Sequence, residues 1–557
     1  MSQKLAASPA EASNSSIGSV MACAWPALLV ATVCLLPFVN KPFLIDDPEF
    51  LAMARQIMQR PLHPMDFDLC WNVVENCTKA YFLMPGNVLM GYALAPTVLG
   101  GASEWMAHLT QLAFAWVAII AMSSLVLRFG WGRPYAVVGA LLLVAIPPFL
   151  PMASTAMPDV LATAVGLVGI ERLAAWKAER KRSQGVAAAL ALGLAGIARP
   201  HLALLLPLGA FYLAEIASPR AMLDQIRRKM AIWTPIIGGV ALLLAVILIT
   251  RERSMALDPP PAFSGTANIR PNLFAYLRYL AFPLPLADCW AASRWKTNPR
   301  RVGIILVSAA GAAGLRVIAG GAGSTALATV GLPLFLTVTS LGMLIDLLVE
   351  ALRCWDHESL FLSLWLLAPL PIVYYGHLPI KYLLPCVPAL ILTCFRLTQA
   401  IPARAAGIAG AFIIVAGIGY SLLILRSDAE FANFGRTALY RLIGSHVAAG
   451  ETVWYGQQYS SYWYAPKAGA RLSFPGGPQP KPGDLLAVGL SEGGFVMQRF
   501  PNRTLVASLA CTYSFGRTMG AGKGLYSNRV GIWPWGFGSS EFDRYELWRI
   551  EDSGGVR

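Results

Sequence analysis

Three carboxylates stand together near the start of the chain, in the run Ile45-Asp46-Asp47-Pro48-Glu49-Phe50. Neighbouring carboxylates can divide the work of a general base and of positioning a substrate. Asp47 followed by Pro48 also suits a helix start, because a capping carboxylate accepts backbone N–H bonds and a proline at the first helical position has none to offer. That role accounts for Asp47 without chemistry and leaves Asp46 needing another reason. Asp159 follows the Pro-broken run from Pro147 to Pro158 and opens an apolar stretch, where a helix dipole alone would also favour it. Basic and aromatic residues stand at similar breaks: Arg199-Pro200-His201, then Arg251, Arg253 and Arg270 around Pro259–Pro261, then His377, Lys381 and Tyr382. Cations at an apolar boundary can simply snorkel. Placed on one face with carboxylates, they can instead clamp a phosphate. A base for a hydroxyl and cations for a departing phosphate are the least that sugar transfer from a lipid phosphate requires.

The elements that must hold these residues are apolar. Of 557 residues, 56% are hydrophobic and 13% charged, against about 25% charged in soluble domains. Mean hydropathy is +0.55. The chain is therefore expected to be an all-α polytopic membrane protein. The net charge of +14 does not indicate nucleic acid, because the basic residues lie in short clusters between apolar runs, which is a topology signal.

Apolar stretches centre on 20–39, 104–127, 135–150, 157–175, 186–199, 202–217, 232–250, 272–290, 303–321, 329–349, 360–376, 380–396 and 405–425, giving about 13 candidate spans. The first is too long for a signal-peptide core and reads as a retained span behind a cytoplasmic tail, 1–19. With the N-terminus inside, the inner loops collect Arg128 and Arg133, Arg172 to Arg182, Arg220 to Lys229, Arg294 to Arg301, Arg353, Arg396 and Arg404. The short outer connections keep only Arg199, Arg251, Arg253, Arg270 and Lys381, as the positive-inside rule requires. The stretch from Tyr81 to Gly100 would invert this bias if it spanned, so it is expected to lie along or re-enter the membrane. The candidate acids then share the outer face, in a first extracytoplasmic loop at 40–103 and in the connection before Asp159. Cys70 and Cys77 share that first loop and can pair if it faces an oxidising compartment.

Composition changes at 427. The segment 427–557 is polar and Gly/Pro-punctuated, and Thr452–Tyr455 and Tyr545–Ile550 read as strands. It is expected to form a small extracytoplasmic α/β or α+β domain behind a transmembrane domain at 20–426. Gly516–Gly524 is only superficially a phosphate loop, since Arg517 stands where glycine is required and Gly524 where Ser or Thr is required.

The same residues resemble the GT-C glycosyltransferases of family 39, which include protein O-mannosyltransferases and the aminoarabinose transferases of lipid A. Asp46-Asp47 followed by Ala52-Met53-Ala54-Arg55 looks like the family's acidic pair and surface helix, with Asp47 in place of the usual glutamate. Tyr81-Phe82-Leu83-Met84-Pro85, Gly100 with Glu104-Trp105, Asp159, Arg199-Pro200 and Lys381-Tyr382-Leu383-Leu384-Pro385 resemble its later motifs in order. The likeness covers roughly residues 20–425. Met84 departs from a lysine found in some members, for which Lys79 is the nearby substitute, and His108 replaces a common arginine.

The resemblance implies a GT-C-like fold and a membrane glycosyltransferase that moves a sugar from a polyprenyl-phosphate donor to an acceptor hydroxyl outside the cytoplasm, in one inverting step. Asp46 would be the base, with Asp47 and Asp159 as its catalytic companions. Arg199, Arg270, Lys381 and Tyr382 would hold the donor phosphate, and Lys79, Tyr81, His201 and His377 would line the substrate site. No cofactor and no metal are expected. The expected partners are the lipid-linked donor, a lipid, glycan or protein acceptor and membrane lipids, with no nucleic acid, and the expected location is a bacterial inner membrane. Two readings compete: a lipid or solute transporter or flippase, against which stand the scarcity of intramembrane charge and of any inverted repeat, and a non-catalytic membrane scaffold. A transferase using a diphosphate donor would call for a large Arg-rich late outer loop, and the late outer loops 322–328 and 376–380 are short.

Overall fold

Prolines and apolar runs set the helix lengths in the computed structural model. It describes residues 16–70, 77–84, 87–214, 266–281, 286–295, 298–319, 331–399, 401–456, 459–474, 476–490, 494–511, 516–520, 523–531, 533–538, 541 and 543–552. The expected span at 232–250, with Arg251 and Arg253, lies outside them.

Helix α1 (Ile17–Leu35) opens at Ser16, whose hydroxyl accepts from the Ser19 N–H at 3.3 Å. Its buried face is small, with Cys23, Ala24, Ala27, Ala31 and Cys34, so neighbouring helices approach closely. After a sharp turn come α2 (Asp47–Gln59) and α3 (Val88–Leu99). These two cross at Gly91, where any Cβ would lie 2.7 Å from the Met53 side chain. At 12 residues, α3 is roughly 18 Å long, too short for a hydrocarbon core of about 30 Å. The hairpin between them pairs β1 (Asp68–Leu69) with β2 (Thr78–Lys79), and the Cys70–Cys77 disulfide closes it.

The helices continue as α4 (Glu104–Arg128), α5 (Arg133–Ala145), α6 (Phe149–Ala153), α7 (Pro158–Glu179), α8 (Arg182–Ala198), α9 (Leu205–Ala214), α10 (Ile269–Ala281), α11 (Leu286–Trp295), α12 (Pro299–Ala319), α13 (Leu332–Cys354), α14 (His357–Leu367), α15 (Val387–Thr398) and α16 (Ala403–Ala448). Among the described residues 6 helical segments are long and apolar enough to cross a membrane: Ile17–Phe38, Glu104–Arg128, Leu332–Cys354, His357–Tyr374, Ile380–Thr398 and Ala403–Ala448. The described residues therefore show 6 of the thirteen spans expected from hydropathy at full length. Pro147-Pro148 stops α5, and the extended Arg199 before Pro200 stops α8, because a residue preceding proline is driven out of the helical region.

Helix α16 carries the chain out of the apolar region without a break. Its 46 residues amount to roughly 69 Å, and the change in composition at 427 falls inside it. Beyond it, β3 (Val453–Tyr455), α17 (Ser460–Lys467) and β4 (Arg471–Leu472) form a parallel crossover unit. With β5 (Leu485–Gly489), β6 (Arg503–Cys511) and β9 (Asp543–Ile550) they make a mixed sheet of order β4-β3-β5-β9-β6. Between β6 and β9 the chain makes a small hairpin, β7 (Met519–Gly520) with β8 (Lys523–Gly524), over the stretch that superficially resembled a phosphate loop.

Two buried ties fix this domain and the first loop to the helices. Lys41, at the end of the turn after α1, has its ammonium against Asp428 of α16, and neither side chain has any exposure. The same Nζ donates to Ser154 Oγ at 3.2 Å, while Asp428 accepts from Thr518 Oγ1 at 2.9 Å and Tyr526 Oη at 2.7 Å. Asp47 makes the second tie. It does not cap its own helix: its carboxylate turns back to the Leu44 N–H at 2.9 Å and across to the Ala156 N–H at 2.7 Å. Burial pushes the Asp47 carboxyl up to about 7, against the pull of Lys41 and of both N–H bonds.

Each tie makes a prediction. Removing one partner of a buried pair typically costs about 3–5 kcal/mol, because the other charge is stranded. Lys41→Met and Asp428→Leu should each melt well below the wild type in detergent, and the double variant should melt above the worse single; additive losses would deny the coupling. For Asp47 the folded state binds the proton more tightly than the unfolded chain, so its contribution is complete below the ordinary value of 3.8 and is lost as pH rises through about 7. Asp47→Asn should therefore flatten the fall in melting temperature between acid and neutral pH; an unchanged slope would assign that fall to other groups.

Candidate functional site

Asp46 owes its position to a strained residue. Ile45 is buried and holds a φ of 51°, a region that a β-branched side chain adopts at a cost on the order of 1–3 kcal/mol. The turn it makes leaves the Asp46 carbonyl to accept from the N–H groups of Glu49 at 3.1 Å and Phe50 at 3.4 Å, while the Asp46 side chain caps nothing. That carboxylate instead faces Lys381, whose Nζ lies 3.3 Å from Asp46 Oδ2.

Lys381 comes from the 3-10 segment Ile380–Cys386 that leads into α15, and 1% of its side chain is exposed. Its ammonium also touches Met157 Sδ at 3.2 Å and lies 5.2 Å from the Tyr526 ring and 5.8 Å from the Tyr382 ring. A second pair forms beside Tyr382. Arg199, released from α8 by Pro200, donates from Nη2 to Asp159 Oδ1 at 2.7 Å and stacks over the Tyr382 ring at 4.6 Å. His377 Nε2 lies 3.3 Å from Tyr382 Oη, and the His201 ring centre lies 6.2 Å from that of Tyr382. Two ion pairs thus flank one aromatic ring.

The pairs leave bonding capacity over. Asp159 Oδ2, Arg199 Nε and His201 Nε2 are buried and make no hydrogen bond to any described residue. Buried polar atoms normally have partners, so three orphans around one ring mark a place where a polar guest is accommodated. Burial, then the cations Lys381, Arg529 and Arg199, lower the His377 imidazole to about 3, which keeps it a neutral donor–acceptor. Burial and the adjacent Asp46 carboxylate push Glu49 well up.

The C-terminal domain closes this region. Besides Tyr526, Asn528 accepts from the Leu378 N–H at 2.8 Å and donates to Asn272 Oδ1 at 2.9 Å, and Arg529 Nε donates to the Gly376 carbonyl at 2.6 Å. Tyr464 of α17 accepts from the Phe43 N–H at 2.8 Å and donates to Glu104 at 2.9 Å.

Of the residues singled out in the sequence, Asp46, Asp159, Arg199, Lys381, Tyr382, His201 and His377 are brought together, and Asp47 lies beside them as a backbone tie. Three are placed elsewhere. Lys79 is engaged in the hairpin by Asp66 at 3.1 Å and Asp68 at 3.3 Å. Tyr81 is half-buried on the single helical turn Ala80–Leu83. Arg270 is exposed on α10, stacked over Phe274 at 5.9 Å. The sequence reading missed Lys41, Asp428 and Tyr526, and named Glu49 in the acidic run without giving it a place in the site. Only Glu49 carried a local signal, since it lies one helical turn after Asp46. Among the described residues, no three His, Cys, Asp or Glu side chains converge as a metal site.

No family model matches the chain, and no curated protein matches it. Solved structures similar to it include two of ArnT from Cupriavidus metallidurans. The form bound to undecaprenyl phosphate is 14% identical with a TM-score of 0.42, covering 88% of this chain and 97% of that one. The apo form is 14% identical with a TM-score of 0.37, covering 82% and 86%. The likeness at this level is a loose one, spread over most of both chains.

Proposed function

We propose that this protein is a membrane glycosyltransferase of the GT-C type, moving a sugar from a polyprenyl-phosphate donor to an acceptor hydroxyl outside the cytoplasm. The observation that carries the reading is the convergence of the Asp46–Lys381 and Asp159–Arg199 pairs on Tyr382, with unspent buried polar atoms between them. A transferase needs such a carboxylate for the acceptor hydroxyl and cations for a departing phosphate.

In the proposed step the acceptor oxygen attacks the anomeric carbon from the face opposite the phosphate. The bond from that carbon to the phosphate oxygen breaks as the new C–O bond forms, inverting the centre. Asp46 takes the acceptor's proton as general base. The electron pair leaves on the polyprenyl phosphate, whose second charge develops in the transition state and is met by Arg199 and Lys381. Lys381 contacts Asp46 in the free protein, so donor binding would draw the ammonium towards phosphate and leave the carboxylate free to accept a proton. Asp159 orients Arg199 through its single hydrogen bond. Tyr382 is the platform between the pairs, and neutral His377 fixes its hydroxyl.

The test is release of free polyprenyl phosphate in reconstituted membranes, with a panel of polyprenyl-phosphate sugars and crude cell extract as acceptor. Wild type should release it with at least one donor, and Asp46→Asn should lose at least ~100-fold, the scale of a positioned base. Equal release by both proteins would remove Asp46 from the chemistry. No release with any donor would favour the transporter or the scaffold.

A further inference from the structure

A second polar site lies at the other end of the helices. The segment His357–Tyr374 starts beside it and ends near the Asp46 cluster, and its 18 residues separate the two by roughly 27 Å. A cavity of 310 Å³ opens there between α11, α12 and α13, with Arg294, Asn298, Asp346, Glu350, Arg353 and Cys354 in its wall. Part of the wall is fixed: Trp290 Nε1 donates to Asp346 at 2.9 Å, and Arg294 bridges Asp346 and Glu350. Part is not. Glu350 keeps 42% of its side chain exposed, and Arg353 and Asn298 have no side-chain partner among the described residues.

Among the described residues the charges in this wall balance, two arginines against two carboxylates. A simple anion would meet Asp346 and Glu350, and a simple cation would meet both arginines. A zwitterion satisfies both halves, with phosphate against Arg353 and Asn298 and a primary ammonium against Glu350. Alongside the polar stripe Asp346, Glu350, Arg353 runs an apolar one, Leu341, Ile345, Val349, Leu352, displaced by one residue and exposed along its length. It leads from the cavity along the apolar body of α13, where acyl chains would lie.

We propose that this cavity binds the head group of a zwitterionic phospholipid bearing a primary amine, with its chains on the exposed face of α13. The site requires that the chain cross a membrane and does not depend on the transferase reading. It gives the protein a lipid contact on the leaflet opposite the proposed chemistry.

Cys354 in the cavity wall supplies the readout, because it is exposed while Cys23, Cys34, Cys386, Cys394 and Cys511 are buried. The full chain would be reconstituted in nanodiscs of phosphatidylcholine alone, or of phosphatidylcholine mixed with phosphatidylethanolamine or with phosphatidylglycerol. Maleimide labelling of Cys354 would be followed, with the background from Cys354→Ser subtracted. Phosphatidylethanolamine should slow labelling about fivefold, as a site four-fifths occupied would, and the other two compositions should leave it fast. Glu350→Gln should abolish that slowing without changing the rate in phosphatidylcholine. Arg353→Gln, at an exposed position, does the same work if the first variant does not elute as a folded protein. Equal rates in all three membranes, equal protection by phosphatidylglycerol, protection that survives both variants, or equal protection by soluble phosphoethanolamine would each overturn the proposal.

Discussion

The ion pair between Lys41 and Asp428 is the constraint on which the rest of the arrangement hangs. Two charges without any exposure are costly to bury, and their attraction offsets that cost only when the remaining hydrogen-bonding capacity is filled. Here it is filled from four separate parts of the chain: Ser154 from the link before α7, Thr518 and Tyr526 from the C-terminal domain, and the pair itself from the first turn and α16. None of these segments can shift alone without stranding a charge. The Asp47 tie to the Ala156 N–H adds a second pin between the first loop and the same link. Together they hold the strained turn at Ile45, which would otherwise relax and carry Asp46 away from Lys381.

The knot and the candidate site share a residue. Tyr526 gives its hydroxyl to Asp428 and its ring to Lys381. Lys381 then reaches Asp46 on one side and Tyr382 on the other, and Tyr382 carries Arg199 and so Asp159. A continuous path of contacts, buried up to the partly exposed Asp46, therefore joins the structural pair to both proposed functional pairs. Low local polarity strengthens every link of such a path and makes any unfilled atom costly. The orphaned atoms of Asp159, Arg199 and His201 are the places where that cost is left standing, which is why they point to a guest.

Much of this was legible in the sequence because it is encoded locally. Apolar runs mark the helices, proline pairs mark their ends, and acids and cations at those ends stand out against an apolar background. Asp46, Asp159, Arg199-Pro200 and Lys381-Tyr382 each interrupt such a run. What hydropathy could not supply was length: it counts apolar residues without seeing that Pro147-Pro148 and Arg199-Pro200 cut helices short. Nor could it pair residues that are far apart. Lys41 and Asp428 are separated by 387 positions and Tyr526 by a further 98, and no local pattern distinguishes them from residues at a membrane edge. Lys79 and Arg270 show the converse: each has the right chemistry and faces its own local partners. Asp47 has the backbone-accepting role that its Pro48 neighbour suggested, but its acceptors serve the chain before it and a distant loop rather than its own helix.

The change in composition at 427 falls within a continuous helix. That helix, α16, has an apolar first half and an Asp428 that is already part of the buried knot. The segment from Gly516 to Val530 then returns from the sheet to the helices, where Asn528 and Arg529 bind the loop 376–378 that precedes Lys381. That loop carries His377, so the same contacts that dock the domain also set the imidazole against Tyr382. A polar domain attached by a linker would leave the site intact when removed. Here its removal would strip Asp428 of its bonds from Thr518 and Tyr526, uncover Lys381 and release the loop between α14 and α15, so the C-terminal domain is part of the site's wall rather than an appendage beside it.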